Sequence, residues 1–566
     1  VEILPMEPPE ARSCVINWYK SLLDDADPEV AHEYEVSRDR LLHDMSTRQT
    51  LAELSQTPLL CAMLSALYSA GCLDSAPETR TDLYQQVVGA LVFRRDQARL
   101  AWHKDSSMFV GRERIQVLQA IARTMTDKSL SVIPIWRVRP GQIAGPVAAV
   151  DVVESRLQTM PTASVTAHEA LSHLVNRSCV FRDVGAGEGQ FVHRTFQEFL
   201  AGQEYAYIED IDTLLDHAHL PSWRNTVVFA AGTCGRAGAS RLVKGLAALA
   251  AKRRPERREI LILMAECIGS AGPLDDDAAT AARALVPEVL PPRNHAEGES
   301  IASLGDELVS WLGTCDIPDI EALRASLHAC GIVGSARAMA VVHRFSQRPE
   351  ANEAAEDFLR LWQRFDPVTY ATSVLANLDF GNRKIVIGSP RALPGVASLQ
   401  GARRFRVDIP TVDLRFLGTL PDLEELDCRA ANLVTADGID GVPRLERLDL
   451  SMNPHLHDIS LVKAVEGLQE LNLTGCSALG DLSALVGLRR LRALSVSGCS
   501  AVVDFSFLPR LSQLRTLWLN DCTITSLSAL RQLEDLRSLF ADAAEPIREL
   551  GDLTSLSRVR TVVRSC

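Results

Sequence analysis

The strongest constraint on this chain is a period. The pattern L-x-x-L-x-L, allowing conservative swaps, starts at Leu423, Leu445, Leu468, Leu491, Leu514 and Leu536, in steps of 22 or 23 residues. One such unit is too small to bury its own leucines. A stack of units closes a continuous core, in which each buried Leu contributes about 1.5–3 kcal/mol. The last third of the chain is therefore committed to a solenoid. A poor copy at Leu399 to Phe405 and a degenerate one from Leu556 through Val559 stand where terminal, capping units belong. Eight residues after each starting Leu come Ala431, Asn453, Cys476, Cys499, Cys522 and Ala544. That recurrence predicts a buried ladder of small side chains bonded to backbone, and it accounts for the three cysteines without a metal.

These spacings resemble a leucine-rich-repeat solenoid of the short bacterial type. In such a strand the side chains flanking the buried leucines point to the open, concave face. The candidate partner-binding residues are therefore Glu425, Asp427, Arg447, Asp449, Glu470 and Asn472, followed by Ser495, Thr516, Trp518, Ser538 and Phe540. The early half of this face is charged, and its acids point first to a partner with a basic patch. Trp518 and Phe540 lie one repeat apart, either as a binding anchor or packed on the C-terminal cap or on each other.

The whole chain has 566 residues, room for about four domains. Its net charge of −13 disfavours nucleic acid and anionic membranes as partners. No apolar run approaches the length of a membrane span. Thirteen scattered cysteines without a C-x-x-C pair argue for a reducing, cytoplasmic setting and against zinc. The opening lacks an initiator Met and a signal segment, so it reads as the interior of a longer polypeptide. Before residue 105 the text is helical, with Thr81 as a candidate cap for the helix carrying Leu83, Val87 and Leu91. Further on, Val180 to Val184 and Gln190 to His193 read as a hairpin around a turn from Gly185 to Gly189. That turn lacks the Lys-Ser/Thr of a phosphate loop and reads as the wing of a winged helix. Thr195 and Glu198 have capping-box spacing for the helix that follows. Residues 211–398 read as an alanine-rich helical spacer.

The segment Phe191-Val192-His193-Arg194-Thr195-Phe196-Gln197-Glu198-Phe199-Leu200-Ala201, preceded by Asn176-Arg177-Ser178, resembles the winged-helix signature closing the nucleotide-binding module of NACHT proteins. These are a branch of the STAND signal-transduction ATPases that includes NOD-like receptors. Thr57-Pro58-Leu59-Leu60, Thr79 to Tyr84 and Arg94-Arg95-Asp96 are similar to the helical subdomain of the same module. The resemblance implies ADP or ATP as cofactor, with Pro58 beside the adenine and His193 at the β-phosphate, holding the resting form closed. Read alone, His193 fits equally a histidine satisfied inside the fold, and Pro58 a helix starter.

No G-x-x-x-x-G-K-[ST] occurs, so the chain has no machinery to hydrolyse ATP by itself. By the family pattern the missing P-loop subdomain, with its Mg²⁺, precedes Val1, and an effector domain lies beyond that. The expected fold is mainly α with an α/β solenoid: a NACHT-type helical domain (1–104), a winged helix (105–210), a helical spacer (211–398) and leucine-rich repeats (399–566). The expected function is the sensor and relay portion of a NACHT-type switch that binds a protein ligand, exchanges nucleotide and oligomerises with its own kind. Its setting would be bacterial defence against phage. The competing readings are a winged-helix DNA-binding regulator and a nucleotide-free repeat scaffold. Local charge disfavours the regulator, because Arg177, Arg182 and Arg194 are offset by Asp183, Glu188, Glu198 and Glu204.

Overall fold

The computed structural model describes residues 6–522, apart from 7, 25, 48–50, 52–54, 56, 71–76, 78, 101–108, 110, 138–146, 161–164 and 179, and then 530, 532–542 and 560–564. The degenerate repeat at Leu556 to Val559 and the rung at Ala544 lie outside the described residues. The chain is mostly helical and forms two compact units, Val1–Asp316 and Ile317–Cys566. Among the described residues no helix is long and apolar enough to cross a membrane.

The first unit opens with α1 (Pro8–Leu23), α2 (Pro28–Thr47), α3 (Pro58–Ser69) and α4 (Arg80–Leu100). The cap of α4 is Thr79, not Thr81. Thr79 Oγ1 accepts the Asp82 N–H while Asp82 accepts the Thr79 N–H, both at 3.0 Å. Thr81 is buried instead, where a Cβ on Gly232 would come within 2.6 Å of its hydroxyl. Next come α5 (Gly111–Asp127), β1 (Ile133–Pro134), α6 (Ala149–Leu157), α7 (Ala167–Arg177), β2 (Phe181–Gly185), β3 (Glu188–Phe191) and α8 (Arg194–Tyr207). The three strands form an antiparallel sheet in the order β1-β3-β2. The hairpin turn is tighter than the glycines alone predict. Gly185, Ala186 and Gly187 all have positive φ, and Gly189 is already in β3. Gly189 is needed there, since a Cβ would meet the Phe181 ring at 2.3 Å. Helices α9 (Ile211–His217), α10 (Arg224–Thr233), α11 (Arg236–Lys252), α12 (Arg257–Ser270), α13 (Asp276–Leu285), α14 (His295–Ala302) and α15 (Asp306–Leu312) complete the unit.

The second unit begins with α16 (Ile320–Val333), α17 (Ala336–Ser346), α18 (Ala355–Leu361) and α19 (Pro367–Ser373). Gly334 ends α16 in the left-handed conformation and Ser335 caps α17 at once, its hydroxyl accepting the Ala338 N–H. A parallel sheet follows: β4 (Lys384–Ile387), β5 (Arg404–Val407), β6 (Glu425–Asp427), β7 (Arg447–Asp449), β8 (Glu470–Asn472), β9 (Ala493–Ser495), β10 (Thr516–Trp518), β11 (Ser538–Asp542) and β12 (Arg560–Arg564), each paired with the next. With its 22- to 23-residue period and in-register leucines, this is a leucine-rich-repeat solenoid. The sheet starts at Lys384, ahead of a boundary at 398/399. A spacer drawn over 211–398 is likewise divided between the two units at Asp316/Ile317. Composition hides this because β4 fills its buried positions with Ile385 and Ile387 rather than leucine.

The repeats of β6 to β10 turn a corner just after the strand, with Ala430, Met452, Gly475, Gly498 and Asp521 all at positive φ. Beneath those corners runs the expected polar ladder. Asn453 Nδ2 donates to the Cys428 and Leu450 carbonyls at 3.0 and 2.8 Å, and its Oδ1 accepts the Leu433 N–H at 3.0 Å. The thiols of Cys476, Cys499 and Cys522 donate to the carbonyls of Leu450, Leu473 and Val496. Burial pushes the Cys476 thiol up to about 11 and the Cys499 thiol up to about 12, so both are protonated hydrogen-bond donors at neutral pH.

Candidate functional site

Each of the strands β6 to β10 buries its central residue and turns two neighbours outward. Leu426, Leu448, Leu471, Leu494, Leu517 and Leu539 form the buried file. Register then sorts the outward residues into two rows. The first reads Lys384, Arg404, Glu425, Arg447, Glu470, Ala493, Thr516, Ser538; the second reads Val386, Arg406, Asp427, Asp449, Asn472, Ser495, Trp518, Phe540. All eleven concave-face residues predicted from the sequence therefore stand on one sheet face, and eight of them carry charged, amide or aromatic side chains: Glu425, Asp427, Arg447, Asp449, Glu470, Asn472, Trp518 and Phe540. All of these eight except Phe540 line a concavity of about 660 Å³.

The first row is largely self-neutralising. Glu425 accepts from Lys384 at 2.8 Å, from Arg404 at 2.7 Å and from Arg447 at 3.2 Å. Burial alone raises its pKa, but the hydrogen bonds from Lys384 and Arg404 outweigh that and hold the carboxyl below the usual glutamate range. An acidic early face thus needs correction, because Lys384, Arg404 and Arg447 bring cations to its most enclosed carboxylate. Lys384 and Arg404 escaped the sequence reading because their strands lack the L-x-x-L-x-L signature. The alternation Lys384-Ile385-Val386-Ile387 is the signal that finds them.

The second row keeps more of its charge. Asp427 and Asp449 are in register neighbours, and each accepts a backbone N–H two residues on, from Arg429 and Ser451. Asp427 also lies 3.6 Å from Lys384. Asn472 repeats the turn bond to Thr474 and donates to Asp449 at 3.1 Å. Among the described residues no ion pair forms at Asp449 or Glu470. Past them the face becomes aromatic: Trp518 and Phe540 stack with centroids 5.5 Å apart and planes 8° from parallel. The two rings pack on each other and are only half-buried, so they form one platform.

A second file of carboxylates holds the far corner of three successive repeats, where Asp458, Asp481 and Asp504 accept the N–H groups of Ser460, Ser483 and Ser506. Those backbone bonds lower the pKa of Asp458 and Asp481. A folded-state pKa below the unfolded one contributes stability above the unfolded value and loses it as pH falls through the folded one. The solenoid's thermal midpoint is therefore expected to hold from neutral pH to about 5 and to fall below about pH 4, as carboxylates protonate. Melting curves across that range check it.

The first unit places the other two predicted site residues. His193 is exposed and is the N-cap of α8, where its Nδ1 accepts the Thr195 N–H at 3.2 Å. The capping box expected from Thr195 and Glu198 does not form: Thr195 is already inside the helix. The Glu198 carboxylate is taken by Arg194 at 3.0 Å and Asn225 at 2.9 Å. Pro58 is exposed at the first position of α3, where its missing N–H costs nothing. Among the described residues no group of three or more His, Cys, Asp or Glu side chains has the arrangement of a metal site.

No protein-family profile matches the chain, and no curated protein matches it. Solved structures that match over part of it include an internalin (inlF) from Listeria monocytogenes str. 4b F2365, 19% identical with a TM-score of 0.30 over 39% of this chain. Internalin C2 (inlC2) from the same organism is 21% identical, with a TM-score of 0.25 over 35% of this chain and 83% of its own. A leucine-rich-repeat protein from Leptospira interrogans is 15% identical, with a TM-score of 0.26 over 36% of this chain and 62% of its own. The chain spans 65% of the length of the first of these.

Proposed function

We propose that the chain is the sensor and relay portion of a NACHT-type STAND switch. The concave face of the solenoid recognises a protein ligand. The segment from α5 to α8, read as a winged helix, couples that event to exchange of ADP for ATP held mainly by a P-loop subdomain outside this sequence. Assembly on activation, a bacterial defence role and a cytoplasmic setting belong to the same reading.

The observation that carries the nucleotide role is the state of His193. Because Nδ1 accepts the Thr195 N–H, the neutral ring carries its proton on Nε2. The exposed imidazole is thus set as a donor at a helix start, where backbone N–H groups and the helix dipole favour an anion. A diphosphate suits that site, and loss of the contact on exchange would free α8. Pro58, exposed at the start of α3, is assigned to the adenine by resemblance only.

The test uses the protein expressed with the coding sequence that precedes Val1. Nucleotide released on denaturation is quantified by chromatography. The wild type is expected to retain ADP, and His193→Ala to retain about tenfold less, a loss near 1.4 kcal/mol of binding. Val192→Ala at the neighbouring exposed position serves as the control and is expected to retain wild-type levels. A wild type that carries no nucleotide overturns the reading.

A further inference from the structure

The rim of the solenoid just ahead of the strands carries a charge pattern that the concave face does not use. Arg403, Glu424, Glu446, Gln469, Arg492, Arg515 and Arg537 occupy successive rungs of one backbone ladder. In each step the N–H of one residue donates to the carbonyl of the rung before it, at 2.7–2.8 Å. Arg403 pairs with Glu424 at 3.4 Å. Beyond that pair the ladder residues themselves are acidic at Glu424 and Glu446 and basic from Arg492 to Arg537, while the positions just before them are mixed: Arg444 pairs with Asp422 at 2.6 Å, and Glu534 and Asp535 stand exposed ahead of Arg537. Glu466 extends the acidic end, and Arg489 and Arg490 extend the basic one. Arg489, Arg490, Arg492, Arg515 and Arg537 are all exposed, and among the described residues none of them forms an ion pair. Three like charges on consecutive rungs, about 4.8 Å apart, repel one another and gain nothing from the rest of the unit.

We infer that this rim is a self-complementary interface for a second copy of the same chain. A two-fold axis perpendicular to the ladder, lying in the plane of the rim and passing between the rungs of Gln469 and Arg492, reverses the order of repeats and keeps each column facing itself. It sets Glu446 against Arg515 of the second copy, Glu424 against its Arg537 and Glu466 against its Arg489, and then each pair again with the roles exchanged. Register needs no adjustment, because both sides are the same ladder with the same spacing. Residues that meet reciprocally in this way define an isologous dimer. At the centre, Gly467 and Gly487 border a shallow concavity of about 830 Å³ flanked by Glu446, Glu466 and Arg490, which gives the incoming Arg490 room. A nucleic acid would find the same arginines, but a strand following the ladder runs onto Glu446 and Glu424, and the chain's net charge of −13 repels it. The change of sign halfway along a single ladder favours the second copy.

Exposed ion pairs are individually weak and screened, so the association is expected to be modest and to dissolve with salt. Sedimentation velocity on the full chain is expected to show a dimer at low ionic strength and a monomer at about 0.5 M salt, where charges are screened within a few ångströms. Two double variants give the decisive result. Arg489→Glu with Arg515→Glu sets like charges against Glu466 and Glu446 of the second copy, and Glu446→Arg with Glu466→Arg sets like charges against its Arg515 and Arg489. Each alone is expected to dimerise about tenfold more weakly than wild type or not at all, while an equal mixture forms a heterodimer, which misfolded variants cannot do. The inference is overturned by a wild type that stays monomeric at every salt concentration, or by a mixture that fails to associate. It is equally overturned by a monomeric wild type that binds a DNA or RNA duplex and loses it with Arg489→Glu and Arg515→Glu.

Discussion

Replacing Asn453 with alanine is expected to destabilise the solenoid by about 3 kcal/mol, since the cut leaves buried backbone groups without partners at roughly 1–3 kcal/mol each. Asn453 is fully buried and closes four such bonds at once, to Cys428 O, Leu450 O, Ser451 O and Leu433 N. Its neighbours on the ladder are less committed, since each cysteine offers one weak S–H donor. Cys499→Ala is accordingly expected to cost about 1 kcal/mol, chiefly for lost burial. Asn453→Cys, which installs the residue found at the same rung in the next repeats, should recover only part of the loss. Urea denaturation of the three variants compares them directly, and equal midpoints for Asn453→Ala and Cys499→Ala would rule out the hydrogen-bond explanation. Because each repeat rests on its neighbours, hydrogen exchange should rise first in the repeats flanking residue 453.

Gly202→Leu is expected to be at least as damaging, about 3 kcal/mol or more, because overpacking here cannot relax by turning a side chain. A Cβ at 202 would lie 2.7 Å from the Thr226 carbonyl oxygen and 2.9 Å from the Ala230 nitrogen, both backbone atoms of α10. Helices α8 and α10 meet through this glycine, beside a cluster in which Tyr84, Phe199 and Phe229 are in mutual ring contact. Driving α8 outward moves the helix that His193 caps. The variant should therefore lose both thermal stability and whatever nucleotide the wild type retains. Gly202→Ala is a milder form of the same clash and should fall between. Melting temperature and retained nucleotide measured on the same preparations test the coupling, which fails if Gly202→Leu melts like the wild type.

The repeats were legible in the sequence because leucine marks the same buried rung from Leu426 to Leu539, and a period survives where single propensities do not. The strand β4 escaped and β5 read only as a poor terminal copy, because isoleucine, phenylalanine and valine fill those rungs equally well. The hairpin was legible from its glycines, though not its tightness, which depends on the Phe181 ring lying over Gly189. Helix starts were misplaced by two residues at both Thr81 and Thr195. In each case the threonine lies buried inside the helix and the residue two positions earlier, Thr79 or His193, is the cap. The electrostatics of the concave face was the least legible. Arg404, Glu425 and Arg447 are scattered in sequence, and only strand register brings them side by side.

The backbone ladder running from Arg403 to Arg537 is indifferent to what its rungs display, since its bonds join main chain to main chain. The solenoid therefore separates the grammar of folding from the vocabulary of recognition. Buried leucines, corner residues and the ladder hold the frame, while the outward positions of each strand and each rim residue can be rewritten one at a time. A surface built this way can drift toward a new target through single exchanges, each tolerated by the frame. The residues that resist exchange, such as Asn453, mark where the two roles meet.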